Sequence, residues 1–259
     1  MKHPNAPSHD DRSTPVKLPN TIDLPNAIAA VTGHSATAER LSERFRREGA
    51  TAIVLGSGLG PLADKITDPV AIAFDQIPGF AKSTAHGHRG ELIMGYLADH
   101  PVIAMAGRLH RYEGWSNAQV TFPIHVMRGL GATRLIASNA AGGVNPKLCV
   151  GDVIVIRDHV DWLHQRSPQD HSLATSDRVD PPVRLSGGLY DPILASRALS
   201  AARAGGFTAV EGTYLATLGP NYETRAEYRM MRRMGVDVVG MSTVPEVLVA
   251  ARLNLKILA

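Results

Sequence analysis

Short apolar runs alternate with longer amphipathic stretches along most of this chain, and this alternation constrains the fold more than any other feature. Runs with the length and composition of buried strands occur at Thr51–Leu55, Val70–Phe74, Glu91–Leu97, Val102–Met105, Arg134–Ala137, Val153–Ile156, Thr213–Ala216, Val236–Val239 and Leu255–Leu258. Helical periodicity occurs from about Leu24 to Gly49 and again at Ala118–Gly129, Pro192–Ala204, Arg225–Met234 and Val244–Leu253. Strands that alternate with helices predict an α/β layered fold with a largely parallel sheet.

Two neighbouring runs are too close together for a crossover helix. Glu91–Leu97 and Val102–Met105 are separated by only a short connection, which predicts an antiparallel hairpin. The fold class predicted is therefore α/β, with a mixed, largely parallel central sheet flanked by helices. We expect a single domain over residues 26–259.

Composition excludes several classes of protein. The chain has 259 residues, of which 44% are hydrophobic and 20% charged, as in soluble globular proteins. The net charge is only +3 and the arginines are scattered, so no nucleic-acid partner is expected. A single cysteine, Cys149, rules out an internal disulfide and suits a cytoplasmic location. No apolar run reaches the length of a membrane span.

Two segments lack any helical or strand period. Residues 1–25 combine charges with five prolines and have no apolar core of a signal peptide, so they predict a disordered tail. The segment from Leu163 to Gly188 is rich in Ser, Asp and Pro, and it predicts a long surface loop of the kind that is usually functional or disordered.

Two predicted strand ends in the last third of the chain carry polar side chains. Glu223 follows Gly219-Pro220, and the strand Val236–Val239 is followed by Met241 and Ser242. Ligands of α/β sheets bind outside the carboxyl ends of the strands, so both turns should face one pocket. The pocket would then contain a fixed acceptor (Glu223), the ring of Tyr222, a thioether (Met241) and a hydroxyl (Ser242). These groups would together suit a flat, polar heterocycle with a small sugar. The alternative is that Glu223 only stabilises the dipole at a helix N-terminus.

The glycine-rich segment Gly56–Gly60 follows the first predicted strand directly. Glycines there let backbone N–H groups and the Ser57 hydroxyl approach an anion. No Gly-Lys-Ser/Thr follows, which excludes a Walker P-loop. Two alternatives stay open: a modified dinucleotide fingerprint with Asp75 as the ribose contact, and a tight turn without a ligand.

Arg108 and His110 follow the strand Val102–Met105 and are separated by one residue. In an extended segment both side chains point to the same side, and a guanidinium beside an imidazole is well suited to clamp phosphate. A solvated loop that carries these charges by chance is the alternative.

Two further polar motifs have weaker signals. His86 and His88 are two residues apart, which allows either a metal site or a phosphate contact, but no nearby Cys or carboxylate completes a metal shell. Ser138–Gly143 ends another strand with small residues whose N–H groups could bind an oxyanion, although Gly-Gly after a strand is often only a turn.

Taken together and in this order, the motifs closely resemble those of the trimeric purine nucleoside phosphorylases. The similar segments are GSGLG at 56–60, GHRGEL at 87–92, AGRLHRYEG at 106–114, SNAAGG at 138–143, GPNYETRAE at 219–227 and GVDVVGMSTVPE at 235–246. The resemblance extends from about residue 40 to the last residue, apart from the loop after Leu163. The pattern of Glu223 with Met241-Ser242 resembles the branch that acts on 6-oxopurines, rather than the branch that cleaves methylthioadenosine.

The resemblance implies a three-layer nucleoside phosphorylase-like fold and the conversion of a purine nucleoside and phosphate to free base and ribose 1-phosphate. It implies no cofactor, no metal, and assembly as a homotrimer. The catalytic residues implied are His110 and Glu223. The residues implied for phosphate are Ser57, His88, Arg108, His110, Ala140 (through its N–H) and Ser242, and those for the nucleoside are Tyr112, Tyr222, Glu223, Val239 and Met241.

The resemblance also implies that the strand Leu255–Leu258 continues to an asparagine that faces the purine, and then to a closing helix. Because the sequence ends at Ala259, we expect this chain to bind phosphate but to cleave inosine slowly. Two other functions remain as alternatives: a phosphate- or nucleoside-binding protein without turnover, and an NAD-dependent oxidoreductase built on Gly56–Gly60 and Asp75.

Overall fold

The computed structural model of the chain describes residues 23–56, 58–81, 89–163 and 188–259. The helices are α1 (Leu24–Thr32), α2 (Ala36–Glu48), α3 (Asn117–Gly129), α4 (Pro192–Ala204), α5 (Arg225–Arg233) and α6 (Val244–Arg252). The strands are β1 (Ala50–Val54), β2 (Thr67–Ala73), β3 (Glu91–Leu97), β4 (His100–Ala106), β5 (Ala132–Ala137), β6 (Gly142–Gly143), β7 (Val153–Asp161), β8 (Ala209–Ala216), β9 (Val238–Gly240) and β10 (Lys256–Leu258). Short 3-10 helices lie at Gly60–Lys65, Phe74–Gln76 and Arg111–Glu113.

The strands in the described part of the chain form two sheets, in place of the single central sheet that was expected. The larger has the order β10-β5-β1-β4-β3-β2, and the smaller has the order β6-β9-β8-β7. Pairs of β1, β4, β5 and β10 are parallel, as are β7 with β8 and β8 with β9. The β3–β4, β2–β3 and β6–β9 pairs are antiparallel. The mixed, largely parallel α/β class and the β3–β4 hairpin are therefore confirmed, whereas strand periodicity alone does not reveal which strands share a sheet.

Along the strands of the larger sheet, successive side chains point alternately to two apolar faces. Along β1, Ala52 and Val54 belong to the main core with α3 and α6, while Ile53 packs in a second cluster with Leu62 and Ile66 beside the first 3-10 helix. This period of two is the geometry of a strand that is buried on both sides. Strand β1 is thus buried on both faces, and its carboxyl end is the part that can contact a ligand.

The predicted helix from Leu24 to Gly49 is two helices, because capping residues interrupt it. Asp23 caps α1 by accepting the N–H of Asn26, and the helix ends at Gly33. Ser35 then caps α2 by accepting the N–H of Ala38 at 3.1 Å. Helix α1 therefore begins two residues before the predicted domain boundary at residue 26, and residues 1–22 of the predicted tail lie outside the described residues.

The two sheets meet along β10. The N–H of Ile156 in β7 donates to the carbonyl of Ala259 at 2.8 Å, and the N–H of Asp191 donates to the carbonyl of Ile257 at 2.8 Å. The carboxyl ends of β1, β4 and β5 lie at the same edge of the larger sheet because these strands are parallel. None of the helices in the described ranges has the length and apolar character needed to cross a membrane.

Candidate active site

A cavity of about 360 Å³ opens where strands of both sheets end. Its walls come from the segments that follow β1, β4, β5, β8 and β9, together with α5. The lining residues are Gly56, Arg108, His110, Tyr112, Asn139, Ala140, Ala141, Gly142, Tyr222, Glu223, Tyr228, Val239, Gly240, Met241 and Ser242. The expectation that the turns after Gly219 and after Gly240 face one pocket is thus met in the geometry.

The cavity contains every predicted site residue that the structure describes. These are Arg108, His110, Tyr112, Ala140, Tyr222, Glu223, Val239, Met241 and Ser242. Ser57 and His88 lie outside the described residues, so their predicted phosphate contacts stay predictions. A neighbouring cavity of about 640 Å³ has mostly aliphatic walls and is lined by none of these nine residues.

Arg108 is fixed at one end of the cavity by buried partners. Its side chain is 2% exposed, and its Nη1 donates to the carbonyl of Ser138 and to Oγ of Ser242, both at 2.9 Å. Its Nε lies 2.9 Å from Oε1 of Glu246, which is itself 3% exposed. A guanidinium held in this way is preorganised for an anion. The alternative of a solvated loop with chance charges is wrong for Arg108.

His110 is held by Glu113 and by the ring of Tyr112. Its Nδ1 lies 2.9 Å from Oε1 of Glu113, and the two rings stack with centroids 4.7 Å apart. Burial lowers the pKa of His110, and the hydrogen bond to Glu113 opposes this shift. A neutral imidazole that donates its Nδ1–H to Glu113 presents Nε2 as an acceptor, which suits a protonated phosphate oxygen.

Ser242 stands at a tight turn between β9 and α6. The Tyr214 hydroxyl donates to the Ser242 carbonyl at 3.1 Å and accepts the Ser242 N–H at 3.3 Å. The next residue, Thr243, has φ +74° and ψ −48° and is fully buried. Ser242 is therefore tied through its backbone to β8 and through its hydroxyl to Arg108.

Glu223 lines the same cavity and is half-buried. The Thr217 hydroxyl donates to its Oε1 at 2.9 Å, which orients the carboxylate as an acceptor. The helix α5 is capped by Thr224 and Glu227, which form a reciprocal capping box. The capping hydrogen bonds of this helix therefore do not involve Glu223, and both the ligand contact and the dipole alternative stay open for it.

The remaining predicted residues form the walls and the rim. Val239 is 2% exposed in β9, whereas Tyr222 is 90% exposed at the rim and Ala140 is exposed on the wall. Met241 packs against Gly219, where a Cβ atom would lie only 2.3 Å from the Met241 sulfur. The two turns are thus in contact, and the glycine at φ +73° makes that contact possible.

The glycine loop after β1 approaches the end of β5 closely. The N–H of Gly56 donates to Oγ of Ser138 at 3.0 Å, and a Cβ atom on Gly56 would lie 2.4 Å from the Ser138 carbonyl oxygen. A 3-10 helix follows this loop, and β2 lies at the far edge of the sheet. Asp75 is not among the residues that line the cavity. This arrangement differs from the strand-loop-helix unit of a dinucleotide site, so that alternative loses its structural basis.

Within the described ranges, no group of three or more His, Cys, Asp or Glu side chains is placed to hold a metal ion. His86 and His88, the pair that raised this question, lie outside those ranges.

Several residues of the site carried no clear sequence signal. Glu246 is a buried acid in the first turn of an otherwise apolar helix, and this mismatch is the one signal that could have identified it. Glu113 lies three residues after His110, the spacing of a capping box. Asn139 lines the cavity from the segment Ser138–Gly143, which was considered only for its backbone N–H groups, and Tyr228 lines it from α5, where no local pattern marks it.

Comparisons with known proteins agree with this geometry. Residues 50–259 match the family model of the Phosphorylase superfamily. The purine nucleoside phosphorylase 1 of Bacillus subtilis is 44% identical over 208 residues, which cover 80% of this chain and 75% of that protein. The purine nucleoside phosphorylase of Rattus norvegicus is 40% identical over 232 residues, which cover 86% of this chain and 78% of that protein.

A solved structure has the same fold. The crystal structure of the Schistosoma mansoni purine nucleoside phosphorylase in complex with inosine superposes with a TM-score of 0.74 at 35% identity, over 90% of this chain and 80% of that one. The resemblance stated from the motifs is confirmed, and the chain belongs to the phosphorylase superfamily, among relatives that are purine nucleoside phosphorylases.

Proposed function

We propose that this chain catalyses the phosphorolysis of purine nucleosides, which yields the free purine base and ribose or deoxyribose 1-phosphate. The observation that carries the proposal is that one cavity holds a buried guanidinium, Arg108, and an oriented carboxylate, Glu223. The first suits an anion and the second suits the N–H groups of a base. The relatives bear the same activity in their names, and the Schistosoma mansoni relative was solved with inosine.

The anion end of the cavity would position the attacking phosphate. Arg108 is hydrogen-bonded to Ser242, and we assign phosphate to these two residues together with His110 and the N–H of Ala140, which line the same cavity. As the glycosidic bond breaks, positive charge develops on the ribose, and a phosphate beneath the anomeric carbon stabilises it. A phosphate oxygen forms the new bond to the anomeric carbon while the base departs with the bonding electrons. The base also takes up one proton, which balances the proton that hydrogenphosphate loses when it becomes the sugar phosphate. The protein supplies positioning, and phosphate is the nucleophile.

The base end would select the purine. Glu223, with one oxygen held by Thr217, accepts hydrogen bonds from purine N1–H and from a 2-amino group. Inosine and guanosine carry N1–H, whereas adenosine presents a lone pair there, which an ionised carboxylate repels. We assign Tyr112 and Met241 to the ribose and Val239 and Tyr222 to the purine ring, and all four residues line the cavity. The proposed substrates are therefore 6-oxopurine nucleosides.

The proposal includes no cofactor beyond inorganic phosphate as a co-substrate, and it places the enzyme in purine salvage in the cytoplasm. It also includes a homotrimer, which the resemblance to trimeric enzymes supports. Light scattering at micromolar concentration tests the assembly, because a closed ring of three should persist on moderate dilution. A stable monomer would contradict the homotrimer and leave the proposed reaction untouched.

The reaction is tested by incubating the chain with inosine and measuring hypoxanthine release. Release should require phosphate, should generate ribose 1-phosphate in equal amount, and should fail when sulfate replaces phosphate. Phosphate-independent release would indicate hydrolysis and would contradict the proposal. Binding of inosine and phosphate without any product would support the alternative of a nucleoside-binding protein.

A further inference from the structure

The turn that carries Ser242 into the cavity is strained. Thr243 has φ +74° and ψ −48°, and the N–H of Val244 donates to the Ser242 carbonyl at 2.9 Å. These values describe the rarer, strained form of the three-residue γ-turn. A β-branched residue adopts a positive φ only where its surroundings force it to.

A hydrogen bond from the neighbouring sheet holds this turn. Thr243 is fully buried, and its Oγ1 accepts a hydrogen bond from Nδ2 of Asn139 at 2.8 Å. The same Oγ1 lies 3.3 Å from Oγ of Ser242. Asn139 follows β5 in the larger sheet, whereas Thr243 follows β9 in the smaller sheet. The bond therefore fixes the strained turn against a strand end that also forms the cavity wall.

The position of the Ser242 hydroxyl depends on this turn. Its Oγ accepts a hydrogen bond from Nη1 of Arg108 at 2.9 Å, and this bond joins the two groups at the anion end of the cavity. If the turn relaxed to an unstrained conformation, the Ser242 side chain would leave this position. Thr243 does not line the cavity, so any effect of Thr243 on a ligand acts through its neighbours Ser242 and Asn139, which do.

We infer that Asn139 and Thr243 are positioning residues for phosphate: the hydrogen bond between them holds the strained turn so that Ser242 stays beside Arg108. This inference rests on the proposed function, since it assigns the anion end of the cavity to phosphate. Asn139 also lines the cavity, so Thr243 gives the cleaner test.

The test compares Thr243→Val, Asn139→Ala and the double variant with the wild type. Valine keeps the shape and the β-branch of threonine and removes only the hydroxyl. The net contribution of one hydrogen bond corresponds to about a three- to tenfold change in a dissociation constant. We expect Thr243→Val to raise the KM for phosphate by that factor and to leave the KM for inosine unchanged. The double variant should be no worse than the worse single variant, because both remove the same bond.

Two controls separate positioning from general loss of structure. Thr121→Val removes a buried hydroxyl that donates to the Asn117 carbonyl in α3, away from the cavity. Asn145→Ala removes a side chain that donates to Asp237 at 2.8 Å outside the cavity. Both controls should leave the KM for phosphate at the wild-type value.

A second readout, the rise in melting temperature with added inorganic phosphate, does not depend on turnover. It should be smaller in Thr243→Val than in the wild type and in Thr121→Val. An unchanged phosphate KM and phosphate-induced shift in Thr243→Val would overturn the inference, as would strictly additive effects of the two substitutions. If the wild type is inactive, the proposed function fails and the phosphate-induced shift alone decides the inference. A wild type without such a shift overturns it as well.

Discussion

His110 and Glu113 are joined twice: Oε1 of Glu113 accepts the backbone N–H of His110 at 2.9 Å and lies 2.9 Å from its Nδ1. One carboxylate oxygen thus fixes both the backbone and the ring of a residue at the cavity. The ring is also flanked by Arg108 and Glu246, whose charges act in opposite directions on its pKa. The dominant effect is burial, which favours the neutral imidazole.

A pH dependence of stability follows from His110. The pKa of His110 is lowered from 6.5 in the folded protein. At a pH between the lowered pKa of the folded state and the pKa of the unfolded state, the unfolded chain therefore binds a proton that the folded chain does not. The free energy of unfolding should therefore fall as the pH drops below about 6.5. His110→Gln should reduce this slope in urea unfolding measured from about pH 8 to about pH 5. Burial also lowers the pKa of His159, which accounts for a residual slope.

His34→Gln, at an exposed position in the turn before α2, is the matched control for that experiment. An identical slope in His110→Gln and the wild type would show that the imidazole is not buried in solution as it is here.

Replacing Arg108 should lower the stability of the protein as well as its affinity for phosphate. The structure pairs the side chain of Arg108 with that of Glu246 in the interior. Removing one partner of a buried pair typically costs about 3–5 kcal/mol. We expect Arg108→Ala to lose about that much free energy of unfolding in urea titrations, in addition to its phosphate affinity.

The double variant Arg108→Met/Glu246→Leu separates the two effects. Apolar side chains of similar volume often replace a buried ion pair without loss of stability. The double variant should therefore recover most of the stability that Arg108→Ala loses, and it should still show no phosphate-induced rise in melting temperature. Phosphate binding at wild-type strength in this variant would remove Arg108 from the anion site.

Glu223→Gln should reduce the discrimination between inosine and adenosine. A carboxylate accepts hydrogen bonds only, whereas a glutamine amide also donates and can pair with adenosine N1. Sites built around a buried hydrogen bond discriminate by up to ~10⁴, so the change in the ratio of kcat/KM values should be large. Glu227→Gln, four residues along and exposed in the capping box of α5, is the matched control and should leave the ratio unchanged. Equal discrimination in Glu223→Gln and the wild type would contradict the proposed base contact.

Gly56→Ala should destabilise the protein, because a Cβ atom would lie 2.4 Å from the Ser138 carbonyl oxygen. Overpacking of this kind costs about 1–3 kcal/mol. Gly60→Ala provides the comparison, since a Cβ atom there would meet nothing within 4 Å. Thermal unfolding of both variants should show a clear loss for Gly56→Ala and little change for Gly60→Ala. Equal melting temperatures would show that the loop shifts to admit the methyl group.

The sequence predicts local structure and the main site residues well because both depend on short-range patterns. The strand Glu91–Leu97 and the helix Pro192–Ala204 have the predicted bounds, since clear turn and capping residues flank them. The break between α1 and α2 was missed because the apolar period continues through Gly33 and Ser35. The division into two sheets depends on pairing between distant strands, which no local pattern records.

In the candidate site, too, some residues are marked by local sequence patterns and others only by long-range contacts. Arg108, His110 and Glu223 lie in the connections that follow strands and stand out as polar residues in motifs. Glu246, Thr243 and Asn139 contribute through contacts that bring together segments far apart in the chain. Their role is visible only when both sheets are in place.

The hydrogen bond between Arg108 and Ser242 spans 134 positions of the sequence. The anion end of the cavity therefore has no local precursor, and it assembles only when chain segments from both sheets have folded and docked. Contacts of such long range are made slowly, because a large loop must close before they contribute. The proposed phosphate site exists only in the finished arrangement, so phosphate should stabilise the native state by mass action. A phosphate-binding signal during refolding would consequently mark the last step of folding, after most helices and strands have formed.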